Sequence, residues 1–128
     1  MTTPFWCLVV VIFIPFVLAG IGGSYRGKAF GSADNKNPRA QAAKLEGVGA
    51  RVYAAQENAW EAAIMFSVAI LTTHLAGLPA TEATPFAIAF VVARVAHAVF
   101  YIKDIDKLRS LSFLVGLICM ITLFVKAA

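Results

Sequence analysis

Arg94, His97 and Tyr101 follow one another at spacings of three and four within an apolar stretch, and a helix through that stretch stacks them on one stripe. An earlier stretch carries Arg51, Gln56, Glu57, Asn58 and Glu61. Asn58 and Glu61 are three apart and Glu57 and Glu61 four apart, so they share a face as well. Each ionisable group that faces lipid costs roughly 2.5 to 3.5 kcal/mol on insertion scales, so these must turn inward or find partners. Glu61 and Arg94 carry opposite charges and are expected to neutralise each other across neighbouring helices. One such pair is what structural glue needs. When Arg51, Asn58, His97, Tyr101 and Arg109 join that pair at one end of the molecule, a binding site is the better reading. Arg109 opens the last apolar stretch, beside Ser110, and its guanidinium is placed to stabilise an anion. A thiol is an apt target. Its pKa near 8.5 leaves it protonated at neutral pH, and bringing it down to about 6.5 is worth about 2.7 kcal/mol. That chemistry requires neither a metal nor a nucleophilic side chain.

The elements that must hold these residues belong in a bilayer. The chain is 60% hydrophobic and 14% charged, with a mean hydropathy of +0.79, against near 45 to 50% and about 25% for soluble domains. Such a composition excludes a disordered chain, a disulfide-stapled secreted domain and a nucleic-acid partner for the net charge of +4. A span needs roughly 20 residues, so 128 residues accommodate four helices with short loops and no separate soluble domain. Residues 5–23 form the first, interrupted only by Pro15 and a small-residue patch at Gly20, Gly22 and Gly23. No charged segment precedes it, so it is expected to be retained rather than cleaved as a leader. Residues 24–49 are rich in Gly, Asn, Ser and basic residues and are expected to form a surface loop, with Asn37 and Pro38 able to start a helix in water. Spans at 51–76, 86–102 and 108–126 follow, separated by Gly77-Leu78-Pro79, with Pro85 opening the third, and by the polar break 103–107. The expected fold is an all-α, integral membrane four-helix transmembrane bundle.

Basic residues are held on the cytoplasmic side during insertion. Arg26, Lys28, Lys36, Arg39, Lys44 and Arg51 fall in or beside the first connection, and Lys103, Lys107 and Arg109 in or beside the third. The second holds none. Both termini are therefore expected on the non-cytosolic side, in a bacterial inner membrane if the source is bacterial. Cys7 and Cys119 sit in apolar spans without a second ligand nearby, so they read as small buried hydrophobes rather than metal ligands. His74 has no polar companion at helical spacing and reads as an interfacial histidine.

The run Arg51-Val-Tyr-Ala-Ala-Gln56-Glu57-Asn58-Ala-Trp-Glu61, followed by Arg94-Val-Ala-His97 with Tyr101 and then Leu108-Arg109-Ser110, resembles the MAPEG family, the membrane-associated proteins in eicosanoid and glutathione metabolism. The first run is similar to the leukotriene C synthases of that family and the second to its microsomal prostaglandin E synthases. The Asn37-Pro38-Arg39 loop and overall brevity resemble its bacterial branch. The resemblance implies a homotrimer with one glutathione site per subunit interface, opening to the cytosol. It implies that Arg51, Gln56, Asn58 and Glu61 hold the tripeptide together with His97 and Tyr101, and Arg94 on the same stripe is expected to join them. It also implies that Arg26 or Lys28 contributes from the end of the first helix, and that Arg109 and Ser110 act at the sulfur. Glutathione would attack a lipophilic small molecule arriving sideways from the lipid bilayer. The chain departs from the family at Ala54 and Glu57, where arginine is frequent, and at Ala62 and Phe113, where aromatic hydroxyls are frequent. These departures point to a weaker hold on the glutathione carboxylates or to a different thiol. Two other classes compete: a small multidrug exporter, which would be expected to carry a carboxylate in its first span, and a non-catalytic membrane scaffold or lipid-binding relative that keeps the polar cluster for assembly. Residues 5–23 hold no carboxylate.

Overall fold

The first helix starts where Pro4 can occupy an early position without losing a hydrogen bond, because the opening N–H groups of a helix have no partner in any case. It does not stop at Gly23. In a computed structural model that describes residues 1–128, α1 (Thr3–Phe30) runs for 28 residues, roughly 42 Å at 1.5 Å per residue. The expected loop therefore begins only at Gly31, whose φ of 79° is the left-handed conformation that ends a helix. Apolarity marks the depth of hydrocarbon and not the end of a helix; Tyr25, Arg26 and Lys28 continue the same helix beyond the apolar stretch. Pro15 is buried and does not end it.

Asn37 and Pro38 do open a helix, but α2 (Pro38–Ala42) is only 5 residues long. α3 (Gly47–Leu75) then starts afresh, one turn before the expected Arg51, and closes at Ala76 and Gly77, where φ is 88°. α4 (Ala80–Ile102) is preceded by Pro79, so Pro85 lies inside the helix rather than at its start. Thr84 Oγ1 donates to Ala80 O at 2.7 Å one turn back, just before the proline. α5 (Asp106–Ala127) begins two residues before the expected Leu108. The chain has no strands. By length and composition α1, α4 and α5 can each cross a membrane. α3 is longer than any of them, yet its polar cluster keeps it out of that class.

α4 packs along α5 and α1 along α3, while α3 and α1 both touch α4. Phe66 and Phe90 stack at the centre with ring centroids 4.1 Å apart and planes 4° from parallel, surrounded by Val11, Ile70 and Leu123. Ala55, Ala59, Ala62, Ala63 and Ala69 form the buried face of α3. Small residues there let backbones approach closely, which is how helices gain contact when lipid is as apolar as they are. Gly22 is the tightest of these approaches. A Cβ at that position would lie 2.7 Å from Cε2 of Tyr53. Outside this core, Phe13, Phe16, Val17, Ile64, Leu75, Val92 and Val125 are exposed on the protomer, as surfaces meant for lipid or another chain are.

Candidate functional site

The α4 stripe faces inward as its spacing requires. Arg94 and His97 are each 4% exposed. A guanidinium can only donate, and Nη2 of Arg94 donates to Oδ1 of Asn58 in a short bond and to the Asn58 carbonyl at 3.5 Å. The same nitrogen lies 3.3 Å from Nδ1 of His97. Asn58 in turn donates through Nδ2 to Oε2 of Glu61 at 3.3 Å. The expected direct pair between Glu61 and Arg94 is therefore corrected: Asn58 stands between them. Asn58 sits on the flank of α3 that meets α4, whereas Glu61 lies further round towards the outside and is exposed. Nε of Arg94 is buried and has no partner. A buried N–H left so costs about 1 to 3 kcal/mol, which makes it an open claim on a further polar group.

The stripe continues towards the basic end. His97 meets Tyr101 edge to face at 5.7 Å, and the Arg109 guanidinium lies over the Tyr101 ring at 4.5 Å. A cation over an aromatic face is held electrostatically, and here it joins the start of α5 to the end of α4. Ser110 beside it is exposed and makes no hydrogen bond. Arg51 takes a separate position. Its Nε donates to the carbonyl of Ile102 at 3.1 Å, and Nη1 lies 4.0 Å from Oδ2 of Asp104, which adopts the left-handed φ of 61° that ends α4. Arg51 thus caps α4 within the protomer.

Gln56 is two positions from Asn58, about 200° around the helix, so it faces the other flank of α3. There a groove of about 690 Å³ opens between α1, α2 and α3, lined by Arg26, Arg39, Tyr53, Gln56, Glu57 and Trp60 among others. Arg26 is anchored on its wall: Nη1 donates to the carbonyl of Asp34 at 3.0 Å and to Oε1 of Gln41 at 3.2 Å. Gln41 completes the lock by donating to Ser32 O and accepting from the Asp34 N–H. The Asp34 carboxylate accepts from the backbone N–H groups of Asn37 and Lys36, which hold it below the usual carboxylate range. Lys28, the alternative to Arg26, lies on a separate groove with Lys44.

The protomer thus gathers Asn58, Arg94, His97, Tyr101 and Arg109 on one flank of α3 and Arg26 and Gln56 on the other, with Glu61 exposed on the ridge between them. Arg39 and Tyr53 were missed by sequence reasoning. Arg39 sits in a connection whose composition signals only a solvated loop. No individually curated protein matches the chain. The model of the MAPEG family matches residues 3–128, so this chain, with its long apolar helices and internal polar stripe, is an integral membrane protein that belongs to the MAPEG family.

Proposed function

We propose that this protein is a membrane-bound, glutathione-dependent transferase or peroxidase-like enzyme, working as a homotrimer with the thiol peptide bound between subunits. The observation that carries the reading is the division of polar residues over the two flanks of α3, with the exposed Glu61 on the ridge between them. A neighbouring copy would bring the Arg26 and Gln56 flank of one subunit against the Asn58, Arg94 and Arg109 flank of the next. The residues fit the ligand. Asn58 and Glu61 offer polar groups for a peptide at the edge of α3. Arg109 is steadied over Tyr101 at the basic end, where an anion enters from water. Holding the thiol as a thiolate there, next to lipid that delivers the electrophile, supplies proximity and charge stabilisation.

The test is the thiolate itself. Ultraviolet difference spectra at neutral pH should show thiolate absorbance on adding glutathione to the wild type. Arg109→Ala should lose nearly all of it while binding glutathione with little change, and Arg109→Lys should keep part. Binding without thiolate, or normal turnover of chlorodinitrobenzene by Arg109→Ala, would defeat the catalytic assignment. The scaffold reading draws on one observation, that Asn58 and His97 already satisfy Nη2 of Arg94 inside the protomer. It requires that glutathione leave the thermal midpoint in detergent unchanged.

A further inference from the structure

α1 has a second face, turned away from the Arg26 groove. Val10, Val17, Ile21 and Lys28 recur at intervals of seven, four and seven, so one stripe runs about five turns along the helix and ends on a lysine. Its apolar part forms one wall of a groove of about 480 Å³, and Val95, Val99 and Ile102 of α4 form the other. Every residue lining this groove is apolar, and none belongs to α3. On α4, Val95 and Val99 lie about 100° and 140° round from Arg94, off the polar stripe. The groove is therefore separate from both flanks of α3 assigned above to neighbouring subunits, and hydrocarbon reaches it. Val10, Val17, Val95 and Val99 are all exposed along it.

At the basic end the stripe leaves the hydrocarbon. α1 is roughly 42 Å long, which matches the hydrocarbon and headgroup layers together at about 40 to 45 Å, and Lys28 stands about 10 Å beyond Ile21. There it borders a basin of about 510 Å³ with Tyr25, Phe30, Lys44 and Glu46. Lys28 Nζ lies 5.8 Å from the centroid of the Tyr25 ring. The ion pairs of the chain are Arg51 with Asp104 and Lys126 with Glu82, so neither lysine is paired with Glu46. Two ammonium groups against one carboxylate leave the basin with a net positive charge, at the depth where lipid phosphates sit. Lys28 is about 200° round α1 from Arg26, so the basin is not on the side that meets a neighbouring subunit.

We infer that the groove and the basin are one site for an anionic glycerophospholipid, with an acyl chain between α1 and α4 and the phosphodiester between Lys28 and Lys44. The stripe from Val10 to Ile21 is about 16 Å long, close to half the hydrocarbon thickness of about 30 Å and so to the reach of one leaflet. A zwitterionic headgroup brings no net charge to the basin, whereas an anionic one balances it. The inference does not depend on the glutathione reading, because the occupant is a resident lipid and not a reactant.

The test is to titrate the delipidated protein in detergent with phosphatidylglycerol and with phosphatidylcholine of the same chains, following bound lipid by native mass spectrometry. Wild type should bind phosphatidylglycerol about tenfold more tightly. Lys28→Gln combined with Lys44→Gln should remove the preference by weakening phosphatidylglycerol alone. Lys36→Gln combined with Lys107→Gln takes the same charge from the same end of the molecule, outside the basin, and should leave the preference intact. Val99→Trp fills the groove and should weaken both lipids. Equal binding of the two lipids by wild type overturns the headgroup site. So does a preference that survives the Lys28 and Lys44 changes, or one lost equally with Lys36 and Lys107. Unchanged affinities in Val99→Trp overturn the seat of the chain. Every substituted position is exposed, so matching thermal midpoints in the absence of lipid are expected and serve as the folding control.

Discussion

Asn58 is the residue on which the buried polar cluster turns. It accepts from a buried guanidinium and donates to an exposed carboxylate, so its loss unseats Arg94, whereas loss of Glu61 leaves the Arg94 contact in place. Asn58→Ala should lower stability by about 1.5 to 3 kcal/mol, the range for hydrogen bonds to charged groups, and Glu61→Gln by much less. Thermal melting in detergent ranks them; an equal effect of the two would restore the direct pairing that spacing suggested. Asp34, outside the membrane, carries a pH dependence. Its folded carboxyl titrates below the ordinary value of about 3.9 because Asn37 and Lys36 donate to the ionised form. That contribution is therefore complete above the unfolded value and is lost as pH falls through the folded one. The carboxyl carbon of Asp34 followed by NMR should titrate below 3.9, and Asp34→Asn should remove the acid-dependent loosening of the 31–43 segment.

Among the elements, the contact of α1 with α3 depends on one missing methyl group. Gly22→Ala places a Cβ 2.7 and 2.8 Å from Cε2 and Cζ of Tyr53, so the helices must part or the ring must swing away. Overpacking of this kind costs about 1 to 3 kcal/mol. Gly20→Ala meets nothing within 4 Å and should be neutral or slightly stabilising through helix propensity. Melting of both variants, with Tyr53→Ala added to Gly22→Ala as the rescue, checks the contact. The stripe of Arg94, His97 and Tyr101 and the shared face of Asn58 and Glu61 were legible in sequence because helical spacing alone dictates them. The bridge through Asn58 was not, since it depends on how α3 and α4 are rotated against each other. Nor was the true length of α1: the apolar stretch reports where hydrocarbon ends, and the helix ends only where Gly31 turns left-handed. Arg26 looked like a free cation at the end of a span. It is held by Gln41, fifteen positions away, through a loop fold that no periodicity announces.

For the whole molecule, the basic residues of the first and third connections lie at one end, with Arg51, Tyr101 and Arg109, while Glu82 and Lys126 pair at 2.8 Å between α4 and the last turn of α5. Alkaline phosphatase fused after Ala128 should be active if that second end is non-cytosolic, and activity of a cytosolic reporter there instead would reverse the orientation. The connection from Gly31 to Glu46 is the longest in the chain and, by position alone, the obvious place to splice in an epitope or a fluorescent reporter. Its bonds argue otherwise. Ser32, Asp34 and Arg26 all converge on one glutamine side chain, so the segment is an arch with a keystone rather than slack between two helices. Insertions are tolerated where the backbone is free of such ties. An epitope after Asn35 should therefore lower the melting temperature, whereas the same epitope ahead of Thr3 or after Ala128 should leave it unchanged.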